Sequence, residues 1–69
     1  MAIILKHIDK PIYFKKYDGL TGEIEFTPNE SEAKNYPNDW FATTELSYLK
    51  FHLPEYKEEY LNHMSVTYT

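Results

Sequence analysis

Charged and apolar residues alternate with a period of two in Glu23-Ile24-Glu25-Phe26, and the period changes after Phe26. Ile3 to Ile8 is rich in β-branched residues and closes on Asp9-Lys10-Pro11, which predicts a strand followed by a turn. Ile12 to Tyr17 predicts a second strand, with Ile12 and Phe14 on one face and Tyr13, Lys15 and Tyr17 on the other. Asp18-Gly19 opens a loop that Gly22 closes. Glu23-Ile24-Glu25-Phe26 then alternates cleanly as a third strand, with Lys15 and Lys16 placed to pair with Glu23 and Glu25 across the hairpin.

Thr27-Pro28-Asn29-Glu30 has the form of a capping box. The Thr27 hydroxyl is placed to accept from the Glu30 amide, the Glu30 carboxylate to reach back to the Thr27 amide, and Pro28 falls at the first helical position. A helix is expected there, with Ala33 and Tyr36 on one side, Glu30, Glu32 and Lys34 in water, and Pro37 ending it. Thr43 to Leu53 carries two patterns. Leu46, Leu49 and Leu53 recur at helical spacing, whereas Leu49, Phe51 and Leu53 alternate with Lys50 and His52 as in a strand; Thr43 or Thr44 as an N-cap favours the helix. Pro54 opens a further expected helix, Glu55 to His63, with Glu55, Glu58 and Glu59 near its positive end and Tyr56 and Tyr60 as neighbours one turn apart. Met64, Val66 and Tyr68 alternate with Ser65, Thr67 and Thr69, a last strand that would join the sheet beside Ile3–Ile8 or beside the Glu23 strand. The expected fold is one α+β domain over residues 1–69: a small antiparallel sheet, formed by an N-terminal three-strand meander plus a C-terminal strand, with two to three helices on one face.

Composition changes this picture in two ways. A chain of 69 residues holds one core, which buries only about 60% of the surface its unfolded form exposes. With no cysteine for disulfides and no evident zinc set, stability must come from aromatic packing, self-association or a partner. Seven Tyr and four Phe beside Trp40 favour the first, and a homodimer is expected alongside it. The apolar run in Met1–His7 is too short for a signal peptide or a membrane span, so a cytoplasmic protein with no membrane partner is expected.

Charge is uneven. Residues 1–22 carry four lysines against Asp9 and Asp18, and residues 23–69 carry three lysines against nine carboxylates, within a total of −4. All basic residues are lysine, and Tyr, Ile and Asn are plentiful, the bias of an AT-rich coding sequence in a low-GC bacterium or its phage. An acidic chain without arginine makes a poor binder of nucleic acid, since phosphate contacts come from Lys and Arg, so no direct nucleic-acid partner is expected.

Catalytic chemistry has little to work with. Gly19-Leu20-Thr21-Gly22 matches a G-x-x-G loop but joins two strands beside acids, which makes it a hairpin loop rather than a backbone clamp. Glu59 and His63 could share an ion on one helix turn, yet His52 and Glu55 add no zinc spacing and His7 is distant in sequence. Ser31, Ser47 and Ser65 sit in no nucleophile elbow, and two glycines leave no phosphate loop. No catalytic residue, cofactor or metal is therefore assigned, and enzymatic activity is not expected.

Interaction residues are better candidates. Trp40 and Phe41 follow a Pro-Asn-Asp link, which suits one core plug and one exposed anchor, with Trp40 assigned to the core. Tyr17, Tyr56 and Tyr60 sit among charges and suit an interface. Glu23, Glu25, Glu30 and Glu32 form one acidic run, and Glu55, Glu58 and Glu59 a second. The stretch F-T-P-N-E-S-E-A-K-N-Y, carried by Phe26, Thr27, Asn29, Glu32, Ala33, Lys34 and Tyr36 between a short hairpin and a terminal strand, resembles small early-region proteins of phages of low-GC Gram-positive bacteria. That resemblance implies a cytosolic accessory protein that binds a host component, in some cases to shut it off. The resulting expectation is a non-enzymatic interaction module, an inhibitor of a basic, DNA-transacting host protein through an acidic surface accepted in place of DNA. The alternative is a structural component acting as a homo-oligomer.

Overall fold

A computed structural model describes residues 2–69. Four antiparallel strands, β1 (Ile3–His7), β2 (Tyr13–Asp18), β3 (Glu23–Thr27) and β4 (Met64–Tyr68), form one sheet in the order β3-β2-β1-β4. The α+β class and the meander with an added C-terminal strand are as the alternation predicts, and β4 takes the place beside β1. One α-helix, α1 (Asp39–His52), packs on one face of the sheet.

The sheet departs from simple alternation at one point. Phe14 faces Phe26 and Lys16 faces Glu25, so Lys15 is an extra residue in β2, a β-bulge. The bulge reverses the face of everything after it. Tyr17 consequently lies with Phe14 and Ile24 on the α1 side, not with Tyr13, which packs with Ile4 and Ala33 on the opposite side. Both lysines find acids from the bulge, Lys16 reaching Glu25 at 3.7 Å and Lys15 reaching Glu32 at 3.8 Å.

The expected helix after Pro28 is a single 3-10 turn, Glu30–Glu32. Thr27 does not cap Glu30. Its hydroxyl accepts from the Asn29 amide at 3.1 Å and donates to Glu32 Oε1 at 2.9 Å, a side-chain turn that competes with the helix. The reason is tertiary. Ala33 and Tyr36 are needed on opposite faces of the sheet, Ala33 in the smaller core with Ile4 and Tyr13, Tyr36 in the larger core with Leu5 and Phe14. The strands β1 and β2 pair only around Lys6 and Tyr13 and then diverge. The extended segment fills that gap, its Lys34 amide donating to Phe14 O at 3.0 Å and its Tyr36 amide to Ile3 O at 2.9 Å. A helix satisfies its own backbone and could not satisfy two strands at once. The chain thus crosses from one side of the sheet to the other, which delivers Pro37 and Asn38 to the start of α1.

The N-cap of helix α1 is Asn38, five residues before Thr43 and six before Thr44, the caps expected from sequence. Asn38 is extended and its Oδ1 accepts from the Phe41 amide at 3.0 Å, an N-cap with Asp39 at the positive end of the helix. Ala42, Leu46, Leu49 and Leu53 are buried against Leu5, Phe14, Leu61 and Met64. The expected helix Glu55–His63 is instead two 3-10 turns, Pro54–Tyr56 and Leu61–His63. Pro54 at the first position suits such a turn, and Tyr56 and Tyr60 are drawn down on Phe26. The layers are therefore one helix with the 54–63 segment on one face and the Pro28–Ala33 segment on the other, rather than two to three helices on one face.

His7 ties these parts together. It is buried at the end of β1, and its Nδ1 accepts from the Asp9 and Lys10 amides at 3.0 and 3.2 Å, closing the β1–β2 turn. With Nδ1 as acceptor the ring proton sits on Nε2, which donates to Glu59 O at 3.1 Å.

Candidate functional site, the outer face of the helix

Helix α1 has two apolar stripes. The inward one is Ala42, Leu46, Leu49 and Leu53; the outward one runs Phe41, Thr44, Tyr48 and Phe51, with Trp40, Ser47 and His52 beside it. Residues three and four apart share a helix face, so the outward set is one continuous strip. These residues include no Lys, Asp or Glu, and Glu45, four residues from Phe41 and three from Tyr48, borders them on the groove side. Phe51 is 82% exposed, Trp40 64%, and Phe41 and Tyr48 48% each. Scattered exposed aromatics need no explanation, but a contiguous uncharged strip of them on one helix is the mark of a surface that meets something. The assignment of Trp40 to the core is corrected: an N-cap at Asn38 turns Trp40 outward, where its ring packs on Phe41 at 5.0 Å. The strip is continuous with the body through Tyr17, 6.1 Å from Tyr48, while His52 lies 4.1 Å from Tyr48 and 5.2 Å from Phe51.

Beside the strip runs an open groove of about 570 Å³, between α1 and the Lys34–Pro37 segment, with Tyr36, Phe41 and Tyr48 on its walls. Glu45 lies in it: its Oε1 accepts a hydrogen bond from the Tyr36 hydroxyl, and its Oε1 and Oε2 accept from the Lys34 ammonium at 2.8 and 3.0 Å. Burial, the bond to Glu45 and that carboxylate's charge all push the Tyr36 phenol far above the usual tyrosine range. In the unfolded chain the phenol ionises near pH 10; in the folded domain it does not. Its contribution is complete below that value and declines as pH rises through it. Stability should fall above pH ~10 by up to about 1.4 kcal/mol per unit, and Tyr36→Phe should flatten that limb relative to the parent. Urea midpoints for both proteins across the alkaline range test this, lysine titration being common to the two.

The residues expected from sequence to bind a partner do not converge. Glu23 and Glu25 stand on β3 on the side away from α1, beside Lys16, and Glu30 and Glu32 lie in the 3-10 turn on that same side. Glu55, Glu58 and Glu59 lie on the 54–63 segment, whose Tyr56 and Leu61 belong to the α1 side. Two carboxylate groups thus occupy opposite sides of the sheet, and Glu25 and Glu32 each have a lysine within 4 Å. Tyr56 and Tyr60 are half-buried and bracket Phe26, with Tyr60 stacked on it at 4.7 Å. Only Tyr17 touches the aromatic strip.

Among the described residues no three His, Asp or Glu side chains converge on a point that could hold a metal ion. Glu59 and His63 form no ion pair among the described residues, because the helix that would have aligned them is absent; His63 packs on His7 instead, ring centres 5.4 Å apart. No described helix is long and apolar enough to cross a membrane.

The outer strip was half visible in the sequence. Phe41, Thr44, Tyr48 and Phe51 repeat at spacings of three and four, but that pattern emerges only if the helix is capped at Asn38. No protein-family model, curated protein or solved structure matches the chain.

Proposed function

We propose that this domain is a non-enzymatic protein-interaction module that docks a basic partner protein through the outer face of α1 and the groove beside it. The observation that carries this reading is the uncharged aromatic strip of Trp40, Phe41, Tyr48 and Phe51, exposed on a helix whose other stripe already fills the core. Such a face resembles the anchor residues of interfaces, where Trp and Tyr dominate binding energy. The partner's chemistry follows from charge. The domain carries −4 and no arginine, Asp39 precedes Trp40 at the start of α1, Glu45 beside the strip is already paired with Lys34, and aromatic faces attract guanidinium groups. A surface bearing arginine among aliphatic side chains satisfies both halves, and DNA-binding proteins of a host cell offer such surfaces. The reading places affinity in the rings and leaves the carboxylates to steer approach.

The test is NMR titration of the labelled domain with three amphipathic helical peptides that share one leucine face and carry arginine, glutamine or glutamate on the other. The arginine peptide should shift resonances of residues 40–52, and Trp40→Ala with Phe51→Ala should weaken it at least about 30-fold, the loss of roughly 2 kcal/mol. Equal response to all three peptides, or shifts confined to Glu23, Glu25, Glu30 and Glu32, would overturn the reading. In the second case duplex DNA should compete and the carboxylate surface would be the functional one.

A further inference from the structure

We infer that the free edge of β4 pairs with the β4 edge of a second copy of this chain, joining two sheets into one of eight strands. The inference does not depend on the docking role of α1. The ladder between β1 and β4 is regular from Ile3 and Tyr68 to His7 and Met64. Ala2 and Thr69 exchange both backbone bonds, at 3.0 and 2.8 Å, and the Ile8 amide donates to His63 O at 2.8 Å. Antiparallel ladders alternate, so Thr67 and Ser65 also bond inward to β1 while Met64, Val66 and Tyr68 direct their backbone groups to the open edge. The Met64 amide is already used, donating to Leu61 O. What remains on the edge is the Val66 amide and carbonyl, the Tyr68 amide and carbonyl, and the Met64 carbonyl.

That set is self-complementary about Val66. In an antiparallel pair centred there, each Val66 amide donates to the carbonyl of the partner's Val66, and each Tyr68 amide donates to the carbonyl of the partner's Met64. The reciprocal bond of that pair, from the Met64 amide to the partner's Tyr68 carbonyl, does not form because the Met64 amide stays on Leu61 O, so the Tyr68 carbonyl faces water and the pairing has four bonds. On the α1 side Val66 meets the partner's Val66 and Met64 meets the partner's Tyr68; on the other side Ser65 meets the partner's Thr67. All these pairs are uncharged, so two domains of −4 approach here without a like-charge clash.

The two edges of the sheet differ in protection. Natural edges are blunted by charge, proline or bulges. The β3 edge carries Glu23 and Glu25, which any antiparallel self-pairing centred on the strand would set against the same residues, and its neighbour β2 is bulged. Strand β4, Met-Ser-Val-Thr-Tyr, has no charge, proline or bulge and is rich in residues that favour strands. A two-fold axis through Val66 perpendicular to the sheet keeps both α1 helices on one side.

Sedimentation from micromolar to millimolar protein, combined with amide exchange, tests this. A dimer is expected whose Val66 and Tyr68 amides are protected at high concentration and exchange freely on dilution. Val66→Pro removes an outward amide and no bond to β1, so it should raise the dimer Kd at least about 30-fold, two hydrogen bonds being lost per dimer. A monomer at every concentration overturns the inference, as does a dimer unaffected by Val66→Pro or abolished by Trp40→Ala with Phe51→Ala. If Val66→Pro fails to fold, the exchange pattern of the unaltered protein decides alone, and unprotected Val66 and Tyr68 amides in a dimer reject the β4 edge.

Discussion

Leu49→Ala should lower the melting temperature by about 8–40 °C, whereas Phe51→Ala, two residues along the same helix, should leave it almost unchanged. Leu49 is fully buried between the sheet and the 54–63 segment. Its truncation removes the transfer free energy of the side chain and leaves a cavity, about 2–5 kcal/mol in comparable cores. A domain of this length holds roughly 3–10 kcal/mol in total, at about 0.05–0.15 kcal/mol per residue, so the larger estimates unfold it outright. Each kcal/mol moves the midpoint of so small a domain by about 4–8 °C. Phe51 is a larger residue but remains mostly in water in the folded state, so its removal should fall within about 0.5 kcal/mol. Calorimetry of the two variants separates the stripes of α1. Equal losses would mean that the outward strip is packed in the domain, and its assignment as a docking face would fail with it.

The second large effect concerns His7. His7→Ala should cost about 3 kcal/mol, from three hydrogen bonds at roughly 1 kcal/mol each. Two of them hold the β1–β2 turn through the Asp9 and Lys10 amides, and the third holds Glu59 O on the 54–63 segment. His7→Asn discriminates between these halves. Asparagine Oδ1 occupies the position of imidazole Nδ1 and can accept from the same two amides, but its short side chain cannot reach Glu59 O. Its denaturant midpoint should lie between those of the parent and His7→Ala, with exchange rising around Glu59 and staying slow at Asp9 and Lys10. Equal midpoints for the two variants would show that the turn does not depend on an acceptor at Nδ1.

Sequence by itself determined the strands of this protein, because alternation is a local signal. The three-strand meander, the Asp18–Gly22 loop and the terminal strand are legible to within about a residue at each end, and so is the apolar stripe Leu46, Leu49 and Leu53. The acidic bias and the absence of cysteine are equally plain, but neither says where charge will sit. Tertiary structure decided the rest. The Thr27–Glu30 box has the residues of a helix start, yet the gap between diverging strands needs extended backbone to satisfy Phe14 O and Ile3 O, and that need outweighs a local cap. One extra residue, Lys15, reverses the face of Tyr17, and no periodicity within a six-residue strand can announce a bulge. His7 and Glu59 lie 52 positions apart and meet only because the last segment folds back over the first turn. Trp40 reads as a core residue by its chemistry. It is exposed because Asn38 caps the helix and Ala42, Leu46 and Leu49 already occupy the space against the sheet, and only packing could show that a second aromatic stripe had been left outside.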